Sequence, residues 1–254
     1  ITPILGTTAL RVGTQRVAFL LEGRTALVTT PEVEVRASKA NGSTGKTVTA
    51  TFHQWPFGTR GTYVTELTFE EPGEWLLTIE GSQIAGAAVL PVEVAFESGV
   101  KDIGEHAPFS DTKTLKSANG DISTISSHQR PDPALYAVSV AEALFSGRPS
   151  VIVFASPSFC TSPTCGPEVD TIVELKDAHL GEANFIHVEI YDNPDVIQGD
   201  LSKAVFSPHV AVWGLDQTPD YRNESWVFMV GTDGAITHRF QGYATLDELE
   251  RALS

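Results

Sequence analysis

The first part of the chain is built from short segments in which every second residue is apolar. The alternation is clearest at Val33/Val35 and at Val48/Ala50/Phe52. That is the repeat of a strand with one buried face. Further strand-like runs lie at 16–21, 63–69, 74–79 and 88–96, and Asn41-Gly42, Gly58, Gly61 and Pro72-Gly73 separate the runs as turns. About seven short strands in this arrangement predict an all-β, immunoglobulin-like sandwich over residues 1–97. Trp75 is expected in its core, and His53 and Trp55 at a strand end are expected to be structural.

Residues 98–135 change character. Glycines and prolines are spread among Ser, Thr and Asp, which reads as a loop-rich connector. Its Ile122 and Ile125 need cover and are expected to pack on the second domain. From 136 to 254 the periodicity switches. Ser139 and Glu142 form a capping box opening a helix that runs to Gly147. The unbroken apolar run 150–155 predicts a buried central strand. Val169, Ile172, Val173 and Leu180 lie on one helical stripe, and 184–191 reads as a second strand. Residues 199–213 are expected to be partly helical. Runs 226–230 and 235–240 flank Thr232-Asp233-Gly234 as a hairpin, and Thr245 and Glu248 cap a last helix. The order predicts an α/β layered domain with a mixed sheet, and an α+β chain overall.

Composition narrows the classes. Of 254 residues, 41% are hydrophobic and 19% charged, which is globular rather than disordered composition. The net charge is −15, unevenly shared: residues 1–100 hold 7 basic against 10 acidic side chains, residues 101–254 hold 10 against 22. The acidic second part repels nucleic acid and anionic headgroups and attracts cations or basic partners. No apolar run of about 18 residues exists, so no membrane span is expected. The chain opens at Ile1 without Met or an apolar leader, which reads as a mature or trimmed form. Asn41-Gly-Ser and Asn223-Glu-Ser match the glycosylation sequon by pattern.

The most specific chemical feature is the cysteine pair, Cys160 and Cys165, with four residues between them. A helix N-terminus presents unsatisfied N–H groups and about half a positive charge, which stabilises a thiolate. Two such cysteines in one short loop interconvert between dithiol and disulfide. Bridging requires Cα atoms within about 7 Å.

The segment Val151-Ile-Val-Phe-Ala-Ser-Pro-Ser-Phe-Cys-Thr-Ser-Pro-Thr-Cys-Gly-Pro167 resembles a thioredoxin-fold active-site region. The resemblance covers about residues 136–254 and is closest to bacterial extracytoplasmic domains of the Sco-type and peroxiredoxin-like branch. Likewise, Glu70 to Ile79 resembles a strand of bacterial extracytoplasmic sandwich modules. The resemblance implies an extracytoplasmic location and a thioredoxin-like α/β domain. It also implies Cys160 as the attacking and Cys165 as the resolving cysteine, with Phe159, Pro163, Ser225 and Trp226 on the substrate side. Three positions depart from the family pattern. Phe154 stands in place of the buried acid, Ser225 in place of the cis-proline, and Asp170 in place of a helix proline.

Three functions are expected on these grounds. The first is thiol–disulfide exchange with a protein thiol or disulfide partner, needing no cofactor. The second is Sco-like copper binding, for which the usual histidine is missing from 221–226 and His187 and His209 are the nearest substitutes. The third is a non-catalytic cell-surface scaffold in which the bridge is structural; so small a ring contributes only about 2 kcal/mol. No metal ligands are assigned.

Overall fold

The computed structural model describes residues 1–39, 44–56, 58–161, 164–218 and 224–254. The chain divides into two compact units, Ile1–Gly99 and Val100–Ser254.

Seven strands form the first unit: β1 (Thr2–Leu5), β2 (Gly13–Glu22), β3 (Glu32–Lys39), β4 (Thr44–Gln54), β5 (Gly61–Phe69), β6 (Gly73–Glu80) and β7 (Ala88–Val94). In β3, Val33, Val35 and Ala37 are buried while Glu32, Glu34 and Arg36 are exposed, as the alternation requires. The assembly differs from the expected sandwich. All seven strands belong to one antiparallel sheet in the order β1-β2-β5-β4-β3-β6-β7. β5 pairs with both β2 and β4, and β3 with both β4 and β6, so no break divides two sheets. Val12 N–H donates to the Ala95 carbonyl and Ala95 N–H to the Leu10 carbonyl, each at 3.0 Å. The start of β2 thus meets the end of β7, and the sheet nearly closes on itself. Alternation fixes which face is buried. It serves two stacked sheets and one curled sheet equally well, so it could not choose between them. The enclosed core holds Phe19, Tyr63, Phe69, Trp75, Leu77 and Ile79. Trp75 packs edge-on against Phe69 and its Nε1 donates to the Glu71 carbonyl at 3.0 Å.

The second unit contains α1 (Val140–Leu144), β8 (Ser150–Ala155), α2 (Cys165–Ala178), β9 (Asn184–Glu189), α3 (Pro194–Ile197), α4 (Pro208–Val212), β10 (Trp226–Val230), β11 (Ile236–Gln241) and α5 (Leu246–Leu253). Both capping boxes form, at Ser139/Glu142 and Thr245/Glu248. The sheet order is β11-β10-β8-β9; β8 and β9 run parallel and the other pairs antiparallel. One face buries Val151, Val153, Val227 and Met229 with Val169, Ile172 and Leu175 of α2. The other carries Phe154, Trp213, Trp226 and Phe228 in ring contact.

The expected fold class is corrected here too. The chain is mostly β, and no separate α/β thioredoxin-like domain stands at 136–254. Helices α1, α3 and α4 have 5, 4 and 5 residues, too short to form a covering helical layer. The loop-rich stretch supplies cover. Ile125, expected to pack on the second domain, and Leu135 are buried in the same core as β8, and Ile122 packs against it. His106 forms a β-bridge with Ala235, and Ala107 N–H donates to the Gly234 carbonyl at 2.9 Å. Pro- and Gly-rich composition marks irregular backbone; it does not mark a segment that stays outside the core.

Candidate functional site

β8 delivers the chain into a loop that carries Cys160, and α2 starts at Cys165. The two cysteines form a disulfide with Cα atoms 6.0 Å apart. Cys165 is fully buried, packed with Val169 and Ile172 of its own helix, whereas Cys160 is half-buried. Ser162 and Pro163, the latter expected on the substrate side, lie outside the described residues.

The loop before Cys160 is tied down. Phe159 N–H donates to the Ser156 carbonyl at 2.9 Å. Ser158 makes two bonds to Ser127: its N–H donates to Ser127 Oγ at 3.2 Å, and its hydroxyl donates to the Ser127 carbonyl. Ser127 N–H in turn donates to Glu189 Oε2 at 2.7 Å. A carboxyl at the end of β9 therefore reaches the cysteine loop through one serine. The Phe159 ring meets Tyr191 at 6.1 Å between centroids.

Two strand positions before Glu189, His187 is buried. Its Nε2 donates to the Ala155 carbonyl at 3.1 Å, since a carbonyl only accepts. Nδ1 then accepts from the Tyr136 hydroxyl at 2.6 Å. Burial lowers the His187 pKa to about 4, opposed by the Ala155 bond, so the ring is neutral. Burial also raises Tyr136 above its ordinary value. It raises the Glu189 carboxyl as well, opposed by the nearby Ser156 hydroxyl and by Ser127.

The remaining expected site residues separate. Ser225 is buried, its Oγ has no hydrogen-bond partner among the described residues, and its carbonyl accepts from Gly242 N–H at 2.9 Å. Strand alternation carried back from Val227 puts it on the α2 face of the sheet, the side of Cys165. Trp226 belongs to the opposite face, stacked on Phe228 at 5.9 Å and 2% exposed. Asp170, exposed on α2, pairs with His128 Nε2 at 3.2 Å. Among the described residues no three or more His, Cys, Asp or Glu side chains are grouped to hold a metal ion.

Sequence reasoning passed over Ser127, Tyr136 and Glu189. For Glu189 a signal existed. All six residues of β9 are buried, and a carboxyl inside such a strand calls for a local reason. Ser127 and Tyr136 carried none, because their partners lie about 50–60 residues away in sequence.

Among the described residues no helix is long and apolar enough to cross a membrane, which together with the disulfide is compatible with an extracellular location. Comparison with known proteins returns no matching family model and no matching curated protein, so the site rests on its own geometry.

Proposed function

We propose that the chain performs thiol–disulfide exchange through Cys160 and Cys165, with a protein thiol or disulfide as its partner, in an extracytoplasmic compartment. One observation carries the reading. The two cysteines share one short ring at the mouth of α2, and only Cys160 is accessible. An exchange pair needs this asymmetry: one sulfur to meet the partner, one sheltered to complete the reaction. The likeness of 151–167 to a thioredoxin-type cysteine loop supports it at the level of the motif alone.

In the reducing direction the Cys160 thiolate attacks a partner disulfide, and one partner sulfur leaves as thiolate and takes up a proton. Cys165, deprotonated, then attacks Cys160 Sγ. The mixed disulfide breaks, the second partner thiol is released, and the pair is oxidised by two electrons. An external dithiol resets it.

The test is the reduction potential of the pair, alongside turnover. A potential above about −300 mV is expected. Cys160→Ala is expected to abolish exchange with a model disulfide, while Cys165→Ser accumulates a mixed disulfide. A potential below that value, or unchanged turnover in Cys160→Ala, refutes the reading.

A further inference from the structure

In the first unit, the turn that follows β2 and the residues just before β5 line a cleft of about 490 Å³. Sites for small molecules span roughly 300–1,000 Å³, so this one has room for a small organic ligand. Arg24 comes from the turn, with Thr25 and Thr29, and Arg60 comes from the other side, with Thr59.

The donors in this set are uncommitted. Both arginines are exposed, and neither guanidinium has a hydrogen bond or ion pair among the described residues. In the same unit, by contrast, Lys39 is paired with Glu71 at 2.9 Å. The hydroxyls of Thr25, Thr29 and Thr59 have no hydrogen bond among the described residues either. Glu22 is the one carboxyl among the described lining residues, and it pairs with neither arginine. Two cations therefore stand against one anion here, although residues 1–100 hold 10 acidic and 7 basic side chains. The local field favours an anion where the unit as a whole does not.

An exposed arginine by itself is ordinary. What distinguishes these two is that the backbone under each is already fixed. Gly23 N–H donates to the Ala26 carbonyl at 2.9 Å, Val28 N–H donates to the Leu21 carbonyl at 2.8 Å, and Glu22 forms a β-bridge with Leu27. A Cβ on Gly23 would lie 2.6 Å from the Ala26 carbonyl oxygen, so the turn closes this tightly only with glycine. On the other side Trp55 N–H donates to the Arg60 carbonyl at 2.9 Å, and the Trp55 indole is anchored on Thr62. A ligand that bridges the two walls orders side chains but little backbone.

We propose that this cleft binds a phosphate group, free or as the monoester of a small organic molecule, with Arg24 and Arg60 as forks on its oxygens and the threonine hydroxyls beside them. A carboxylate offers about four lone-pair sites on its two oxygens. Two guanidinium forks and three hydroxyls supply more donors than that. A phosphate monoester brings three acceptor oxygens and about −1.5 to −2 of charge at neutral pH, which matches the donors and the two cations. The remaining volume takes the organic part of an ester. The curled sheet is the scaffold of this site, which is independent of the cysteine chemistry.

The amides of Thr25 and Thr59, one on each side, are the reporters. The isotope-labelled full chain is titrated at constant ionic strength with inorganic phosphate and with glycerol phosphate. Saturable shifts of both amides are expected. Tighter binding of glycerol phosphate identifies an ester as the ligand, and equal binding identifies the phosphate ion. Acetate and glycerol are expected to leave both amides unmoved. Arg24→Gln and Arg60→Gln are each expected to weaken binding at least about tenfold, since each removes a charged hydrogen-bond donor. Glu22→Gln is expected to tighten it several-fold, and it keeps the test open should an arginine variant fail to fold. No saturable shift with either phosphate, an equal shift with acetate, undiminished binding in folded arginine variants, or weaker binding in Glu22→Gln overturns the proposal.

Discussion

The two units treat buried polar groups differently. In the first, each buried aromatic donor has a partner: Trp55 Nε1 bonds Thr62 Oγ1 at 2.7 Å, Tyr63 OH bonds the Thr30 carbonyl at 2.9 Å, and Trp75 bonds Glu71. In the second, Ser156, Glu189 and Ser225 each keep a buried oxygen unmatched among the described residues, and the disulfide lies in the same unit. Buried polar atoms without partners are a cost that a purely structural core avoids. Under the proposed exchange function, this segregation fits a first unit that serves as scaffold and a second that carries the chemistry.

The largest test of that division is Trp75→Ala. Removing a fully enclosed indole is expected to cost about 3–5 kcal/mol. Hydrogen exchange should lose protection in β2–β7, while the β8–β11 amides and the disulfide potential hold. A shifted potential would break the comparison. Next comes the pH response of the second unit. The folded His187 pKa is about 4 against 6.5 ordinarily, so between those values the unfolded chain binds more protons and stability rises with pH. The contribution is on the order of 3 kcal/mol, fully present above pH 6.5 and lost on acidification to pH 4. His187→Gln should flatten this rise in a denaturation series. Glu189, raised by burial, contributes the opposite slope, so Glu189→Gln should steepen it.

These residues also separate what a sequence reveals from what only folding supplies. Strand and helix positions were legible because each carries a local period or cap: Val33/Val35 alternate, and Ser139 and Thr245 close their capping boxes as expected. Closure was not legible. The same alternation fits a sandwich or a curled sheet, and only the meeting of Leu10 and Val12 with Ala95 decides for the latter. The cysteine pair was visible as spacing, and Phe159 as its neighbour. The motif gives the place of Trp226 along the chain, while strand parity decides its face, stacked on Phe228. Glu189 joins the cysteine loop through Ser127, 62 residues earlier, a contact made only by the fold.

The smallest expected effect concerns the bridge itself. In the chain-entropy account, closing a ring of about six residues stabilises by only about 2 kcal/mol. Reduction in the full chain should therefore lower the stability of the second unit by about that amount and leave the first unchanged. Cys165 makes the size informative. Fully enclosed, it stays buried as a thiol, so its packing against Val169 and Ile172 survives reduction. Cys160, half-buried, lies in a loop that the Ser158–Ser127 bonds restrain. A loss near 2 kcal/mol, measured by denaturant titration of oxidised and reduced protein, would mean that the two redox forms share one fold, as reversible exchange requires. A loss of about 5 kcal/mol or more, at the top of the range for structural disulfides, would mean that the bridge holds the unit together. The second unit would then be scaffold as well, and its unmatched oxygens would need another explanation.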